Sequence, residues 1–315
     1  MRQGTGEYVA RELQRAGCEV VGVVGTSPAS IDEARAGLRE RHGIDARGYR
    51  TVEELIARER PEVVAICSPT ERHLESLEAA LAAGCHVLCE KPLLWDPDFA
   101  TPEAEPLVVA AAERLVDLAE RRGKHLALNT QWPFTLDAFR QLHPGACEAP
   151  LRDLAVWLGP DDPGPRMVLE SASHPLSLLY ALVGPEGEVE APELAWEGED
   201  GLTVAFRYAH PGGAVAVELA LRRCPQPPRP AAYRINGRRV DREIGLPGYT
   251  FSFVAAGEDG APRRVPFRDP LALSVEAFLA AARAGRPPDR RAIVQGVRHL
   301  HRLVVATEQS VWSRR

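Results

Sequence analysis

Short apolar runs and longer amphipathic segments alternate over the first 130 residues. The short runs predict strands at 18–24, 62–67, 85–89 and 125–129. The segments beside them predict helices at 7–16, 30–42, 51–59, 74–83 and 103–121. Strands that alternate with helices are typical of a parallel sheet covered by helices on both faces. We therefore expect an α/β fold with a doubly wound, Rossmann-type parallel sheet.

The pattern changes after about residue 130. A Pro/Gly-rich stretch over 144–165 precedes a predicted helix at 175–183 and a series of segments in which apolar and polar residues alternate. These segments predict half-buried antiparallel strands at 202–208, 214–221, 231–236 and 249–254, and two further helices follow at 271–284 and 291–309. We predict two domains, an α/β domain over 1–129 and an α+β domain over 130–315 with a mostly antiparallel open sheet.

Composition agrees with a globular protein of two domains. The chain has 315 residues, of which 45% are hydrophobic, so it can bury a large core. Its net charge of -6 is spread along the sequence, with no basic stripe for nucleic acid. The start of the chain lacks the apolar segment of a signal peptide, and no apolar run reaches the roughly 20 residues of a membrane helix. We expect a cytoplasmic protein without nucleic-acid or membrane partners.

The cysteines and histidines do not predict a metal site. The six cysteines show neither a disulfide framework nor zinc-ligand spacing, and the nine histidines form no HExxH motif. His86 falls inside an apolar predicted strand, where a core histidine is the better interpretation. We expect reduced thiols and no bound metal.

Two runs of sequence carry the functional assignment. The first contains Ser68-Pro69-Thr70 with His73 five residues after the serine, and the second ends in Glu90-Lys91-Pro92. With the Ala-Leu-x-x-Gly-x-His-Val joint between them, these runs closely resemble the glucose-fructose oxidoreductase/inositol dehydrogenase (Gfo/Idh/MocA) family. The resemblance is closest over residues 18–93 and extends more weakly into the second domain. It implies a nicotinamide-dependent oxidoreductase with an N-terminally incomplete dinucleotide-binding domain over 1–129 and a substrate and oligomerisation domain over 130–315.

Position and chemistry give the same residues a role. Ligands of a doubly wound sheet bind at the carboxyl ends of the strands, where both motifs are expected. Lys91 can hydrogen-bond a substrate hydroxyl or carbonyl and offset developing charge, although an isolated lysine after a strand is ordinarily a surface residue. The resemblance implies cofactor contacts from Ser68, Pro69, Thr70, His73, Glu90 and Pro92 as well as Lys91. An ordinary helix-terminal histidine is the alternative for His73.

The glycine-rich loop of the dinucleotide site is represented by Gly4-Thr5-Gly6 ahead of a predicted helix. Glycines at such a turn let the backbone approach a pyrophosphate at the helix N-terminus. The resemblance implies an apolar strand before these glycines, and the sequence starts inside the loop. We therefore expect the coding sequence upstream of Met1 to encode that strand.

Cofactor preference is predicted from the end of the second strand of the family pattern. The segment Gly25-Thr26-Ser27 stands where an NAD-preferring enzyme carries an acid for the ribose hydroxyls. Without the acid, no carboxylate repels the 2′-phosphate of NADP(H), and the hydroxyls of Thr26 and Ser27 can donate hydrogen bonds to it. The segment therefore favours NADP(H) over NAD(H) as the NAD(P) cofactor. Arg35 or Arg39 is a candidate phosphate ligand. The alternative is that this segment is only a turn and a helix cap.

The second domain contains a candidate for proton transfer. Glu170-Ser-Ala-Ser-His174 resembles the Asp-x-x-x-His motif of the family, whose histidine exchanges a proton with the substrate. Histidine suits this role because its pKa lies near neutrality. Glu170 replaces the usual aspartate and Ser177 replaces a frequent acid, which makes a typical polyol substrate less certain to fit. Because Pro175 favours a helix start, His174 is alternatively a residue of the first helical turn.

Gln131 and Trp132 are the predicted substrate-pocket residues, with a structural aromatic as the alternative for Trp132. The predicted reaction is hydride transfer between nicotinamide and a small hydroxyl, carbonyl or imine substrate. Two alternatives are a non-redox dinucleotide-binding regulator or pseudoenzyme and an NAD-assisted lyase or glycosidase. The open sheet of the second domain predicts a homodimer or homotetramer, because exposed sheet faces and edges are ordinarily covered by another element or another subunit.

Overall fold

The computed structural model describes residues 5–246, 249–257 and 260–312. The chain divides into two compact units, each assembled from three segments. Unit 1 comprises Met1–Asp96, Ala110–Asn129 and Leu271–Ile293, and unit 2 comprises Pro97–Val109, Thr130–Pro270 and Val294–Arg315. The predicted domain bounds stay a prediction, since each unit draws on both sides of residue 129.

Among the described residues, 5–130 form five α-helices and five strands in alternation. The helices are α1 (Thr5–Arg15), α2 (Pro28–His42), α3 (Val52–Glu59), α4 (His73–Ala82) and α5 (Glu105–Arg121). The strands are β1 (Gly22–Val24), β2 (Arg47–Tyr49), β3 (Val63–Ile66), β4 (His86–Cys89) and β5 (Leu126–Leu128). The predicted α/β alternation is confirmed. The strand predicted at 18–24 is shorter than expected, and β2 was not predicted.

All strand pairs that the structure describes in unit 1 are parallel, but they form two separate sheets. One sheet has the order β1-β2 and the other has the order β3-β4-β5. Helices α1 and α9 (Pro270–Arg283) bury Val9, Leu13, Val275 and Phe278 with Leu88 of β4. The fold class is therefore the predicted Rossmann type, with its parallel strands divided between two sheets.

The helix ends of unit 1 follow from the local sequence. Thr51 caps α3, because its side chain accepts a hydrogen bond from the backbone N–H of Glu54. Ser27 and Ser30 form a reciprocal capping box at the start of α2, and Pro28 occupies the first helical position. Gly43 ends α2 with a φ of 67°, a left-handed conformation that glycine adopts without strain.

Unit 2 is built on one eight-stranded sheet. Its strands are β6 (Asp153–Leu158), β7 (Glu188–Trp196), β8 (Gly201–His210), β9 (Gly213–Arg222), β10 (Ala231–Ile235), β11 (Arg238–Gly245), β12 (Thr250–Ala256) and β13 (Pro262–Phe267). The spatial order is β13-β12-β11-β10-β6-β9-β8-β7, with β6 and β9 parallel and every other pair antiparallel. The prediction of a mostly antiparallel sheet is confirmed.

Three further helices, α6 (Leu136–Leu142), α7 (Arg166–Ser171) and α8 (Ser173–Val183), precede β7, and α10 (Arg290–Trp312) is the last element. One face of the sheet is core, since Val156, Tyr208, Leu219 and Tyr233 are buried completely. No helix of the described residues is long and apolar enough to cross a membrane. The same residues hold no group of three or more His, Cys, Asp or Glu side chains placed to bind a metal ion.

Candidate functional site

His73 connects the two turns that follow β3 and β4. It is the first residue of α4, is 1% exposed, and directs its two ring nitrogens at backbone carbonyl oxygens. Nε2 lies 2.9 Å from the oxygen of Ser68, and Nδ1 lies 2.9 Å from the oxygen of Pro92. A neutral imidazole carries one N–H, so only the doubly protonated ring donates to both carbonyls. His73 therefore fixes the two predicted motif turns relative to each other.

A second set of hydrogen bonds holds the side chain of Glu90, directly after β4. The amide nitrogen Nδ2 of Asn129 donates to Oε1 of Glu90, and Oγ of Ser274 donates to Oδ1 of Asn129 at 2.8 Å. Asn129 and Ser274 are both buried. Desolvation raises the pKa of Glu90 above its ordinary value, while the neighbouring Lys91 charge and the Asn129 hydrogen bond oppose this rise. The carboxylate is thus held in a defined position beside Lys91.

Lys91 and Pro92 complete this turn. The peptide bond between them is cis, and Pro92 is buried while Lys91 is half-exposed. The backbone N–H of Glu90 donates to the oxygen of Ile66 at 2.8 Å, so the start of the turn continues the β3–β4 ladder. Lys91 accordingly projects from a turn whose neighbours on both sides are fixed.

The N-terminus of α1 lies close to the carboxyl end of β3. A Cβ atom placed on Gly6 would lie 3.4 Å from Cβ of Cys67, the residue before Ser68. Oγ of Ser68 is buried and has no hydrogen-bond partner among the described residues. A helix N-terminus favours anionic groups, and a buried hydroxyl without a partner is available to a ligand. These features fit a dinucleotide pyrophosphate. Gly4 lies outside the described residues.

Part of the segment after β1 forms the N-terminal cap of α2. Oγ of Ser27 accepts from the backbone N–H of Ser30 at 3.1 Å and Ser30 reciprocates, whereas Thr26 is exposed. The helix cap that the sequence left as an alternative is therefore present at Ser27. The side chain of Arg39 is paired with Asp45, and Nε of Arg35 donates to the oxygen of Ala46 at 2.9 Å. Thr26 remains as the candidate contact for a 2′-phosphate.

In unit 2, His174 packs against Trp132. Their ring centroids are 5.7 Å apart, and Trp132 is also 5.7 Å from Tyr233 in an edge-on arrangement. Trp132 is buried and opens a short 3₁₀ turn, and Gln131 directly precedes it and is half-exposed. His174 is the second residue of α8, in the helical first turn that Pro175 favours. The structure thus brings predicted proton-transfer and pocket residues together within unit 2.

The carboxylate of Glu170 lies at the end of α7. Its Oε2 accepts a hydrogen bond from the backbone N–H of Asp161 at 3.2 Å. Ser177, which stands where an acid is frequent in the family pattern, donates its hydroxyl to the oxygen of His174 at 2.8 Å. Ser177 therefore supports the first turn of α8 that carries His174.

Residues 3–130 match the family model GFO_IDH_MocA, described as an oxidoreductase family with an NAD-binding Rossmann fold. Over this part, which is less than half of the chain, the sequence resembles the Gfo/Idh/MocA oxidoreductase family. The match contains Gly6, the turns after β3 and β4, and Lys91. The resemblance predicted from the Ser-Pro-Thr and Glu-Lys-Pro motifs is confirmed.

Curated relatives align with part of the chain. The D-glucoside 3-dehydrogenase of Escherichia coli is 32% identical over 115 residues, which are 36% of this chain and 29% of the relative. The 1,5-anhydro-D-fructose reductase of Ensifer adhaerens is 36% identical over 107 residues, which are 34% of this chain and 29% of the relative. The aligned part therefore spans less than a third of either relative.

Solved structures show the same fold over nearly the whole chain. The UDP-N-acetylglucosamine 3-dehydrogenase GnnA from Acidithiobacillus ferrooxidans aligns with 98% of this chain and 95% of its own, with a TM-score of 0.67 and 22% identity. KijD10, a 3-ketoreductase from Actinomadura kijaniata solved with NADP and TDP-benzene, aligns with 96% and 92%, with a TM-score of 0.67 and 21% identity. At these identities the likeness establishes the fold.

Sequence reasoning missed Ser274 of the site. Ser274 lies 145 positions after its partner Asn129, and no local motif connects them. The available signal is a polar residue on the apolar face of α9, beside buried Leu271 and Val275. A buried serine in such a position needs a hydrogen-bond partner, which here is the amide next to the Glu-Lys-Pro turn.

Proposed function

We propose that the chain is an NAD(P)-dependent oxidoreductase that transfers a hydride between nicotinamide and a small hydroxyl or carbonyl substrate. The observation that carries the proposal is the position of His73, whose ring nitrogens each lie 2.9 Å from a backbone carbonyl oxygen, one in the turn of Ser68 and one in the turn of Lys91. Both turns lie at the carboxyl edge of one parallel sheet. This edge is where doubly wound sheets bind their ligands.

The dinucleotide would be held by main-chain and hydroxyl groups of unit 1. The N-terminus of α1 at Gly6 favours the pyrophosphate, and Oγ of Ser68 supplies a buried hydroxyl without another partner. Pro69 and Thr70 continue that turn, and Thr26 contacts the 2′-phosphate of NADP(H), the preferred form. The bound nicotinamide supplies the hydride acceptor or donor.

Lys91 is the residue that we assign to the substrate oxygen in unit 1. Its ammonium group donates a hydrogen bond to that oxygen and offsets the negative charge that develops there during hydride transfer. Glu90, held by Asn129 and Ser274, limits the freedom of the turn that carries Lys91. Pro92 fixes the same turn from its other side through His73.

His174 is the proposed proton-transfer residue of unit 2. Trp132 restricts its ring from one side, and the hydroxyl of Ser177 holds the backbone of its helical turn. The ring takes the hydroxyl proton during oxidation and returns it during reduction. Gln131 is a proposed substrate contact, and Glu170 is a proposed positioning residue of the same region.

The proposed substrate class is a sugar or a related cyclic polyol or ketone. Relatives over the aligned segment are named for a D-glucoside and for 1,5-anhydro-D-fructose, which supports this class. We further propose a cytoplasmic homodimer or homotetramer that associates through the open face of the eight-stranded sheet. On that face the guanidinium of Arg239 lies 4.3 Å from the ring centroid of Trp157. Light scattering of the purified chain measures the oligomeric state.

The test uses the two lysines of the chain, Lys91 and Lys124. Turnover of NADP⁺ and NADPH is measured with a panel of pyranosides and keto-sugars for the parent chain, Lys91→Ala and Lys124→Ala. Loss of a charge-stabilising donor at the reacting atom costs about 10²–10³ in kcat. We expect that loss for Lys91→Ala and unchanged turnover for Lys124→Ala. Dinucleotide binding without turnover, or turnover insensitive to Lys91→Ala, would overturn the proposal in favour of a non-redox role.

A further inference from the structure

A charged side chain, that of Arg242, lies on the buried face of the eight-stranded sheet, which we call the core face. In the β10–β11 ladder, Tyr233 pairs with Val240 and Ala231 pairs with Arg242. Paired residues of antiparallel strands direct their side chains to the same face, and so do residues two apart on one strand. Arg242 therefore shares the face of Tyr233 and Val240, which are completely buried.

The neighbours of Arg242 in β11 and β12 agree with this placement. Arg242 pairs with Phe253 of β12, which is completely buried. Asp241 and Glu243, directly before and after Arg242, belong to the opposite face, where each forms an ion pair with another arginine. An arginine thus occupies a position that the alternation of the strand assigns to the core.

The guanidinium of Arg242 is partly without hydrogen-bond partners. Its Nη2 donates to the backbone oxygen of Arg229, a neutral acceptor, at 2.7 Å. Its Nε is buried and has no partner among the residues that the structure describes. A guanidinium stays charged in proteins, and a buried charged donor without a partner is costly. An anion bound at Nε would remove that cost.

Burial and nearby groups act on the charge of Arg242 in opposite directions. Burial lowers the pKa of Arg242, and Tyr249 and Asp269 oppose this shift. The carboxylate of Asp161 instead pairs with the guanidinium of Arg229, at 3.2 Å. Arg242 as a residue is half-buried, so part of its side chain is in contact with solvent. Its cationic group therefore lies at the border between core and solvent.

Arg242 lies near the aromatic cluster that contains His174. Tyr233 occupies the next same-face position along the ladder, and such positions are about 7 Å apart along a strand. Trp132 contacts both Tyr233 and His174, with ring centroids 5.7 Å apart in each pair. All of these residues belong to unit 2. A ligand group bound to Arg242 would thus lie on the same side of the sheet as the proposed proton-transfer residue.

Next to Arg242, the core face is apolar and half-buried. Ile244 follows two residues later and pairs with Phe251, and both are half-buried. The ring of Tyr249 is 40% exposed and meets that of Phe251 edge-on, with centroids 5.5 Å apart. Small-molecule sites combine apolar and aromatic surface with a few polar groups that fix the orientation of the ligand. This part of unit 2 has that composition, with a guanidinium as the polar group.

We propose that Arg242 binds an anionic substituent of the substrate, a carboxylate or a phosphate, so that the chain prefers an acidic sugar over a neutral one. Nε donates to an oxygen of this substituent, and the guanidinium neutralises its charge. Arg242 is thereby a specificity-determining residue that holds one end of the substrate on the side of the sheet where His174 lies. The inference rests on the proposed function for the reaction that follows binding.

The test compares three sugars that differ at one carbon, namely D-glucose, D-glucuronate and D-glucose 6-phosphate. Their affinities for the complete chain are measured by calorimetric titration, with and without NADP⁺. The variants are Arg242→Met and Arg242→Lys. Arg238→Met is the matched control, because Arg238 lies four residues earlier on the same face of β11 and is exposed.

The proposal predicts that one of the two anionic sugars binds about tenfold or more tightly than D-glucose, as for a hydrogen bond to a charged group. Arg242→Met should remove this preference, Arg242→Lys should keep part of it, and Arg238→Met should leave it unchanged. The anion that binds more tightly identifies the substituent as a carboxylate or a phosphate. The melting temperature of Arg242→Met should equal or exceed that of the parent chain, because an apolar residue replaces a buried charge.

Two results overturn the proposal. One is the absence of any preference of the parent chain for an anionic sugar, including failure of both anions to bind at concentrations up to about 50 mM. The other is an equal loss of affinity for all three sugars in Arg242→Met, which would make Arg242 a structural residue. Anion binding through Arg242 without turnover of NADP⁺ would contradict the proposed function alone. Turnover of neutral sugars without a preference for anions would contradict the role of Arg242 alone.

Discussion

Nε2 of His73 lies 2.9 Å from the carbonyl oxygen of Ser68, while the other nitrogen of the same ring is 2.9 Å from the oxygen of Pro92. One buried side chain thus links the turn of a proposed cofactor contact to the turn of a proposed catalytic lysine. Replacing it leaves two backbone carbonyls without these partners. We expect His73→Ala to lower the free energy of unfolding by about 2–4 kcal/mol.

Urea denaturation followed by tryptophan fluorescence measures that loss. His143→Ala is the matched control, because His143 is half-exposed and its Nε2 contacts a single carbonyl oxygen, that of Arg239, at 3.0 Å. The control variant should lose about 1 kcal/mol or less. Equal losses for the two variants would show that His73 contributes no more than a surface histidine.

A variant of Ser68 distinguishes a role of its hydroxyl in ligand binding from a role in the stability of the fold. Its Oγ is buried without a hydrogen-bond partner among the described residues, so removing the hydroxyl removes a cost of desolvation. We expect Ser68→Ala to unfold at the same or a higher urea concentration than the parent chain. Dinucleotide affinity should fall about fivefold to tenfold, as for one lost hydrogen bond. A destabilised variant with unchanged affinity would assign the hydroxyl to the fold.

Glu90 should make stability decrease as pH rises. Its pKa is raised in the folded chain, chiefly by desolvation, so the unfolded chain loses its proton first as pH increases. Stability therefore falls as pH rises from the ordinary value of 4.5 through the folded-state pKa. The variant Glu90→Gln keeps an amide oxygen that accepts from Asn129 and removes the titrating carboxyl group. Its melting temperature, measured between pH 4 and 8, should therefore not show this decrease with rising pH. A parent-minus-variant difference that is constant with pH would contradict the assignment.

His299 should make the stability of the folded chain decrease as pH falls, which is opposite to the effect of Glu90. It is fully buried, its Nδ1 lies 2.6 Å from the hydroxyl of Tyr180, and burial lowers its pKa from 6.5 to about 4. The unfolded chain takes up this proton below pH 6.5, whereas the folded chain does not until about pH 4. Stability is therefore lost as pH falls through this window, by about 3 kcal/mol in total.

Urea unfolding at pH 7 and pH 5 measures the effect of His299. The variant His299→Gln keeps an acceptor for Tyr180 and removes the titrating group. Its stability should change less between the two pH values than that of the parent chain. Parallel pH profiles for the two proteins would place the titration elsewhere.

Strong local patterns made most of the fold predictable. The runs that became β3 and β4 are continuous and apolar, and the Thr51 cap is marked in the sequence by Thr followed by acidic residues. Strands with weak local signals were missed. β2 has three residues and includes a glycine, β11 contains mostly charged residues, and β7 shifts register between Glu190 and Glu193. A register shift breaks the alternation on which strand prediction depends.

The candidate site was predictable where its residues are neighbours in sequence. Lys91, Pro92 and Ser68 lie in motifs, and their positions after strands follow from the α/β alternation. The bonds of His73 and the contact of Ser274 with Asn129 depend on tertiary packing, which no local pattern encodes. Ser27 illustrates competition between roles, because the same hydroxyl suits a phosphate and a helix cap, and in the structure it serves as the cap.

Binding of the nicotinamide dinucleotide tests the central claim most directly. NADPH and NADH are titrated by fluorescence into the 315-residue chain and into its Ser68→Ala variant. The account predicts saturable binding of one dinucleotide per chain, tighter for NADPH and weakened by Ser68→Ala. Failure of both dinucleotides to bind the parent chain at concentrations up to about 1 mM, an affinity of roughly 4 kcal/mol, would contradict it.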